Sequence, residues 1–321
     1  MDSYIISLNN PVNLINKVKE FNINPILVKG IKGSDLSNEE IKYNVNDDLF
    51  SLINPKSSLG CAMSHLKSWK QFLSSNKNSA LFLEDDAIFE NNFKVDLTNV
   101  LKNTPDDFDI LYLGCFFCDK QYNTISSKIN DYFGKYKDEI IINDYVKIPQ
   151  IFFAAHSYIL SKKGAEKLVK LFEKNLYYHV DFMILQEFYN DNLIVYCSRN
   201  RLVYQTSSSN ITSSENVSSK HPVLVEYILK PYEVDKHASL NYFKNLSMFR
   251  IGDNINCNFM TILFFIIGIV LLFFKVDVKL LTLIYLSLSA YDIYLFNDIN
   301  MIILHGVLLI LPSVIKEANN I

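Results

Sequence analysis

Short apolar runs alternate with amphipathic segments along residues 1 to about 230, and this alternation constrains the fold more than any other feature. Strands are predicted at Tyr4–Leu8, Pro25–Val28, Ala80–Leu83 and Ile110–Leu113, and helices at Val12–Phe21, around Ala62, Leu66, Trp69 and Leu73, and after the N-cap Ser161. Strands that alternate with helices favour an α/β domain with an open, largely parallel sheet. Its ligands are expected at the carboxyl ends of the strands.

Charge and glycine content exclude two classes of function. The 321 residues include 31 Lys and Arg against 34 Asp and Glu, a net charge of -3, and they contain no dense basic block. No nucleic-acid partner is therefore expected, because a protein that neutralises phosphates needs such a block. Gly30 and Gly33 are the closest glycine pair, so the chain has neither a P-loop nor a dinucleotide-binding glycine motif.

The five cysteines do not form the pattern of a disulfide framework. Cys115 and Cys118 have the spacing of a redox pair or of half a zinc site, but a zinc site needs a second pair and the other cysteines are isolated. Both residues lie at the end of an apolar run. Buried thiols, which pack as small hydrophobic groups, are the favoured interpretation.

The C-terminal region is strongly apolar. The segment Phe259–Phe274 contains no charge, and residues 280–290 and 299–315 are also uncharged. Sixteen helical residues span about 24 Å, which is short of the roughly 30 Å hydrocarbon core of a bilayer but extendable by flanking residues. The pattern predicts two or three membrane-spanning helices, with a buried helical subdomain of a soluble protein as the alternative. Basic residues precede and follow the first segment, so the side of the membrane stays open.

These features divide the chain into three parts. Residues 1–233 are predicted to form the α/β domain, residues 234–256 a polar connector rich in Asn and Lys, and residues 257–321 a multi-pass C-terminal membrane anchor.

Three consecutive carboxylates follow the predicted strand at 80–83. In the segment Leu81-Phe82-Leu83-Glu84-Asp85-Asp86, an apolar strand ends in charges that repel one another. Glu84 and Asp86 are suited to share a hard divalent cation such as Mg²⁺ or Mn²⁺, which keeps open positions for the phosphates of a diphosphate. A solvated acidic turn is the alternative, since such turns are common after strands.

Another polar pair lies upstream, in the segment Gly60-Cys61-Ala62-Met63-Ser64-His65. Ser64 and His65 are beside the apolar face of the predicted helix, so they need not be buried and a position facing a cleft is open to them. A lone histidine on a helix is otherwise a core or surface residue.

Together these segments resemble glycosyltransferase family 25, which includes lipopolysaccharide-type and procollagen galactosyltransferases. The resemblance begins with G-C-x-x-S-H at Gly60–His65 and the acidic triplet. Further segments match the family and occur in its order along the chain. They are Tyr4–Leu8, Phe108–Gly114, Ala155–Ala165, His179–Asp181 and Gln205–Ile211. It covers about residues 3 to 215, two-thirds of the chain.

The resemblance implies a GT-A (Rossmann-like) fold and an inverting transfer of a hexose, typically galactose from UDP-galactose. It makes Glu84, Asp85 and Asp86 the site for Mn²⁺ (or Mg²⁺) and the diphosphate. Glu84 and Asp86 would be metal ligands, and Glu84 or Asp85 would orient the ribose or a water. Ser64 and His65 would line the nucleotide pocket. The acceptor would be a hydroxyl of a glycan, a lipid-linked molecule or a protein.

An inverting transfer also requires a general base near the acceptor hydroxyl. Asp181 is the candidate, because it matches the family's later acid. A cap on the helix predicted at Phe182–Phe188 is an equally good interpretation. His156 and His221 are possible additional ligands, although core or surface roles are more common for such residues.

Two other functions are compatible with parts of this pattern. A membrane-tethered sugar-binding or scaffold protein with a decayed site would keep the fold without the activity. A metal-dependent phosphohydrolase or nucleotidyltransferase would use a similar acidic strand end, but it would leave the other matched segments unexplained.

Overall fold

The computed structural model describes residues 1–116, 118, 137–205, 247–252, 255–274 and parts of the stretch 277–315. The chain divides into two compact units. The described residues up to 205 belong to the first unit, and those from 247 belong to the second. The predicted boundaries at 233 and 256 stay predictions, and the predicted candidate His221 lies outside the described residues.

An eight-stranded sheet forms the centre of the first unit. Its strands are β1 (Asp2–Ser7), β2 (Asn24–Lys29), β3 (Ser79–Glu84), β5 (Ile110–Phe116), β6 (Ile140–Ile141), β7 (Val146–Ile148), β8 (Phe153–Ser161) and β9 (Val195–Ser198). They lie in the order β2-β1-β3-β8-β5-β9-β7-β6. A smaller two-stranded sheet joins β4 (Ala87–Phe89) to β10 (Val203–Gln205).

The sheet is mixed, which corrects the expectation of a largely parallel one. Strand β1 pairs in parallel with β2 and β3, and β5 pairs in parallel with β9. Strand β8 lies antiparallel between β3 and β5, and β7 is antiparallel to both of its neighbours. The alternation of strands and helices predicts element types, but strand direction depends on which strand the chain returns to after each helix.

Seven helices surround this sheet in the described residues of the first unit. They are α1 (Val12–Glu20), α2 (Asn38–Asn44), α3 (Asp48–Ile53), α4 (Lys56–Leu73), α5 (Phe93–Asn103), α6 (Lys162–Phe172) and α7 (Val180–Tyr189). The predicted start of α6 is confirmed: the Ser161 side chain accepts a hydrogen bond from Gly164 N. Helix α2 begins with a capping box between Ser37 and Glu40.

An aromatic ladder crosses the sheet and fixes the strands around the acidic triplet. Tyr4, Phe82 and Tyr158 are directly opposite one another on β1, β3 and β8. The ring centroids are 5.2 Å apart between Tyr4 and Phe82 and 5.3 Å apart between Phe82 and Tyr158, both in stacked arrangements. All three side chains are buried, and such aromatic pairs add to the stabilisation from burial. The ladder therefore holds β8 in register with the strand that ends at the triplet.

The Cys115–Cys118 pair lies at the end of β5. Both residues are buried as expected, but they are joined in a disulfide, so the interpretation as two thiols is wrong.

The second unit contains an antiparallel hairpin of β11 (Ser247–Ile251) and β12 (Ile255–Asn258), followed by α8 (Phe259–Phe273). Within this unit, the ring of Phe264 packs edge-on against Tyr285 at 5.8 Å. Gly268 lies so close to Leu309 that an added Cβ would be 2.5 Å from its carbonyl oxygen. These contacts join α8 to the described residues that follow it.

The prediction of a C-terminal membrane segment is wrong. Helix α8 has 15 residues and is about 22 Å long, well short of the roughly 30 Å needed to span a bilayer. Across the described part of the chain, the structure contains no helix whose length and apolar character would suffice to cross a membrane. The multi-pass membrane localisation and the membrane as a partner are corrected for the same reason.

Candidate active site

The acidic triplet lies where β3 ends. Glu84 is the last residue of β3, and Asp85 and Asp86 form the turn that leads into β4. The four strand residues before Glu84, at 80–83, are fully buried, while 23% of the Glu84 side chain is exposed. Asp85 is exposed and Asp86 is half-buried. Because β1 is parallel to β3, with Ile6 opposite Glu84, the ends of both strands contribute to this edge of the sheet.

Glu84 makes three contacts with residues from other elements. His65 Nε2 is 3.0 Å from Glu84 Oε1, and Cys61 Sγ is 4.0 Å from the same oxygen. Gln205 Nε2 is 3.4 Å from Glu84 Oε2. Burial on its own would raise the pKa of Glu84, but the hydrogen bond from His65, with further electrostatic contributions from His65 and His156, outweighs it. The resulting pKa lies below the ordinary value, so Glu84 carries its charge at neutral pH.

His65 belongs to a chain of buried hydrogen bonds behind Glu84. Its Nδ1 is 2.9 Å from the Tyr158 hydroxyl, which accepts a hydrogen bond of 2.7 Å from Trp69 Nε1. The side chain of His65 has no exposed surface. The phenol therefore fixes the imidazole plane, and the imidazole fixes the Glu84 carboxylate. The expectation that His65 faces a cleft is wrong, because the face of α4 that carries His65 packs against the sheet.

Ser64 is also buried and fastens the loop after β2 to α4. Its hydroxyl accepts a hydrogen bond of 2.8 Å from Ile31 N and donates one of 2.6 Å to Gly60 O. Gly60 allows this close approach, since an added Cβ would lie 2.7 Å from Gly33 N. Ser64 thus holds the loop that follows β2 near the end of β3, where the acidic triplet lies.

Asp85 is joined to β1. Ser7 Oγ donates a hydrogen bond of 2.5 Å to Asp85 Oδ2. Desolvation of its carboxyl raises the pKa of Asp85 above the ordinary value; the bond from Ser7 opposes this rise, and the neighbouring charge of Glu84 adds to it. Asp85 as a whole residue is exposed, whereas its carboxyl group is partly shielded from water by the surrounding protein atoms.

The candidate base Asp181 is in the first turn of α7 and is 6% exposed. Its Oδ2 accepts a hydrogen bond of 2.8 Å from Ala154 N, and its Oδ1 accepts one of 2.8 Å from Phe182 N. Ala154 has a φ of 69°, a left-handed conformation that a non-glycine residue adopts only under constraint. Asp181 holds this strained residue at the start of β8. The N-cap of α7 is His179, so Asp181 is not the cap.

His156 lies on β8, two residues before Tyr158. Its Nε2 is 3.2 Å from Val203 O, and the residue is buried. Burial lowers the pKa of His156 to about 4, although the carbonyl of Val203 and the charge of Glu84 both oppose the shift. The imidazole is therefore neutral at pH 7. Gly114 makes room for this contact, since an added Cβ would be 2.7 Å from His156 Nε2.

The fold brings some of the predicted residues together and adds others. Glu84 and His65 are in contact, Asp85 and Asp86 follow in the same turn, and Ser64 lies on the same helix as His65. Asp181 and His156 are linked to this region through β8, on which Tyr158 also lies.

Sequence reasoning missed the partners that orient the triplet. These partners are Ser7, Cys61, Tyr158 and Gln205. A signal was present for Cys61, which precedes His65 by one helical turn. No local signal connects Tyr158 to His65, because 93 residues separate them.

The arrangement combines a charged strand end with a neighbouring parallel strand, and its segments match a known family. A sequence model of glycosyltransferase family 25, described as an LPS biosynthesis protein, matches residues 1–184. This is more than half of the 321 residues. The chain belongs to glycosyltransferase family 25. The resemblance of the sequence analysis is thereby confirmed.

A curated family 25 relative is similar over a limited region. Procollagen galactosyltransferase 2 from Homo sapiens is 26% identical over 111 residues, which are 32% of this chain and 18% of that relative. The matched region thus spans less than a fifth of the relative's length.

Proposed function

We propose that this family 25 protein is an inverting glycosyltransferase that moves a hexose from a UDP-sugar onto a hydroxyl group. The observation that carries the proposal is the family match over residues 1–184, which includes the acidic triplet at the end of β3. The ends of β1 and β3 meet at this edge, which is where open α/β sheets bind ligands.

The residues of the triplet fit a hard divalent cation, Mn²⁺ or Mg²⁺. Carboxylate oxygens are the ligands that these ions prefer, and Glu84 is ionised at neutral pH. We assign the cation to Asp86 and Glu84. Such an ion, when bound, offsets the negative charge that grows on the leaving diphosphate.

The remaining groups act by position. His65 orients Glu84, and Ser7 orients Asp85, so two carboxylates reach the donor with fixed directions. Ser64 supports the wall of the nucleotide pocket by holding the loop at Ile31. Both side chains are buried. We therefore assign Ser64 and His65 to the support of the donor site, which they reach through the loop at Ile31 and through Glu84.

Asp181 fits a positioning role better than that of the general base. Both of its carboxylate oxygens accept backbone hydrogen bonds, and little of the residue is exposed to an acceptor hydroxyl. In the proposed site it keeps Ala154 in its strained conformation and thereby sets the path of β8 beside Glu84.

Galactose is the proposed sugar, because the curated relative is a procollagen galactosyltransferase. The acceptor proposed is a hydroxyl of a glycan, a lipid-linked molecule or a protein.

The test is a donor screen of the full-length chain with UDP-galactose, UDP-glucose and other UDP-sugars, in Mn²⁺ and in a chelator. We expect UDP release above background with UDP-galactose, dependent on the metal, and UDP binding by calorimetry. UDP binding without release would favour the decayed sugar-binding protein. Phosphate or pyrophosphate release without a sugar donor would favour the phosphohydrolase, and the absence of both UDP and metal binding would refute the proposal.

A further inference from the structure

We propose that Cys61, His65 and Glu84 form a binding site for a zinc ion. This proposal goes beyond the proposed function, because the ligands differ in kind from the hard oxygen donors assigned to Mn²⁺ or Mg²⁺. The three ligand atoms all lie within 4.8 Å of one another.

The elements that carry these ligands are well suited to a metal site. Cys61 and His65 are four residues apart on α4, so their side chains project from the same face of one helix. Glu84 ends β3, the strand beside that helix face. Ligands on a helix and a strand have fixed positions, which is the condition for a defined coordination geometry.

The distances are close to those of a tetrahedral zinc ion. With Zn–N and Zn–O near 2.0–2.1 Å and Zn–S near 2.3 Å, tetrahedral angles place N and O about 3.3 Å apart and S and O about 3.6 Å apart. His65 Nε2 and Glu84 Oε1 are 3.0 Å apart, and Cys61 Sγ and Glu84 Oε1 are 4.0 Å apart. Movements of a few tenths of an ångström would bring these two pairs to tetrahedral distances, and the third pair, Cys61 Sγ and His65 Nε2, lies within 4.8 Å.

The surroundings of His65 match those of a metal-binding imidazole. An imidazole that binds zinc through Nε2 carries its proton on Nδ1 and donates it to an oxygen. The Tyr158 hydroxyl oxygen is 2.9 Å from His65 Nδ1 and has a second lone pair in addition to the one used by Trp69 Nε1.

An ion can reach the cluster from solvent. Cys61 is exposed, and 23% of the Glu84 side chain is exposed. Three protein ligands leave a fourth position for water or an anionic ligand. On binding, the Cys61 thiol releases its proton to solvent, and the zinc-bound imidazole of His65 carries its single ring proton on Nδ1.

The donor set selects zinc over the ions of the triplet. Thiolate and imidazole bind Zn²⁺ and Co²⁺ far better than Mg²⁺ or Mn²⁺. Bound zinc would engage Glu84; if the proposed function is correct, zinc would also slow sugar transfer. That consequence rests on the proposed function, whereas the binding itself does not.

Cobalt titration of the full-length protein, with the Cys115–Cys118 disulfide intact, tests the site without any sugar donor. We expect a thiolate-to-Co²⁺ charge-transfer band and intense visible bands typical of tetrahedral Co²⁺. An equimolar amount of Zn²⁺ should remove the bands, and an excess of Mg²⁺ should not. No charge-transfer band, or only the weak bands of octahedral Co²⁺, would overturn the proposal.

Variants assign the ligands. Cys61→Ser should abolish the charge-transfer band, and His65→Gln should weaken Zn²⁺ binding in a chelator competition by at least about tenfold. Cys257→Ser removes a thiol that is not in the cluster and should leave both readouts unchanged. Because Cys61 is exposed, its variant should remain folded, which circular dichroism would verify. Retention of the band in Cys61→Ser, or its loss in Cys257→Ser, would refute the assignment.

Discussion

His65 Nε2 lies 3.0 Å from Glu84 Oε1, so the middle of α4 is joined to the end of β3. The imidazole is fully buried, whereas the carboxylate is partly exposed at the candidate donor site. The orientation of Glu84 thus depends on the buried hydrogen-bond network behind it.

Replacing Tyr158 with Phe should destabilise the first unit. The change leaves Trp69 Nε1 and His65 Nδ1 without the hydroxyl group that joins them in the buried core. Such a loss typically costs about 1–3 kcal/mol in the free energy of unfolding, which urea denaturation would measure. Tyr145→Phe, at an exposed position, is the matched control and should change the value by less than about 0.5 kcal/mol. Equal stability of Tyr158→Phe and the parent would contradict the assigned network.

Replacing Asp86 with Asn should abolish Mn²⁺-dependent transfer. The substitution removes the negative charge of the carboxylate that we assign as a ligand of the cation. It keeps the shape of the side chain, so the fold should be retained. UDP release measured across a Mn²⁺ series provides the readout. Asp106→Asn, an equivalent change at an exposed residue, should behave like the parent. Normal turnover of Asp86→Asn would refute the assignment of Asp86.

The stability of the protein should fall with decreasing pH because of His156. Its pKa is about 4 in the folded state and about 6.5 in the unfolded state, so the unfolded chain binds the proton first. The contribution of the neutral imidazole is complete above about pH 6.5 and is lost as the pH falls toward 4. This difference corresponds to about 3 kcal/mol.

Denaturation midpoints between pH 4 and 7 would measure this dependence for the parent and for His156→Gln. The variant lacks the titrating group, so its stability should vary less with pH in this window. The same pH dependence in both proteins would show that His156 titrates normally.

Replacing Gly114 with Ala should separate β5 from β10. The new Cβ would lie 2.0 Å from Val203 O and 2.7 Å from His156 Nε2, and neither neighbour can move without breaking the contact between them. We expect a loss of about 1–3 kcal/mol in the free energy of unfolding. Thermal unfolding of Gly114→Ala beside Gly30→Ala, where the nearest atom would be 3.1 Å away, measures the difference. A larger loss at Gly30 would contradict the packing described.

Substitutions of Asp181 distinguish positioning from base catalysis. Asp181→Ala removes both acceptors and leaves Ala154 N unsatisfied, which should cost about 1–3 kcal/mol in stability. Asp181→Asn keeps one acceptor oxygen and should retain measurable transfer with an unchanged pH profile. If Asp181→Asn is as stable as the parent but inactive at every pH, Asp181 is the general base.

Much of the first unit follows from local sequence patterns. The predicted strands at Tyr4–Leu8 and Ala80–Leu83 and the helix after Ser161 are all present, with the strand ends shifted by one or two residues. The prediction of a membrane-spanning helix at 259–274 failed. Uncharged composition indicates an apolar segment, but the length of the helix depends on where the backbone turns.

The sequence by itself determined where strands and helices form and which family the chain belongs to, because apolar periodicity, capping residues and motif order are properties of neighbouring residues. Only the tertiary structure decided that β8 lies antiparallel between β3 and β5 and that Tyr158 contacts His65 across 93 positions of sequence. Those contacts depend on how the sheet is ordered, and the order is set by the packing of the whole unit.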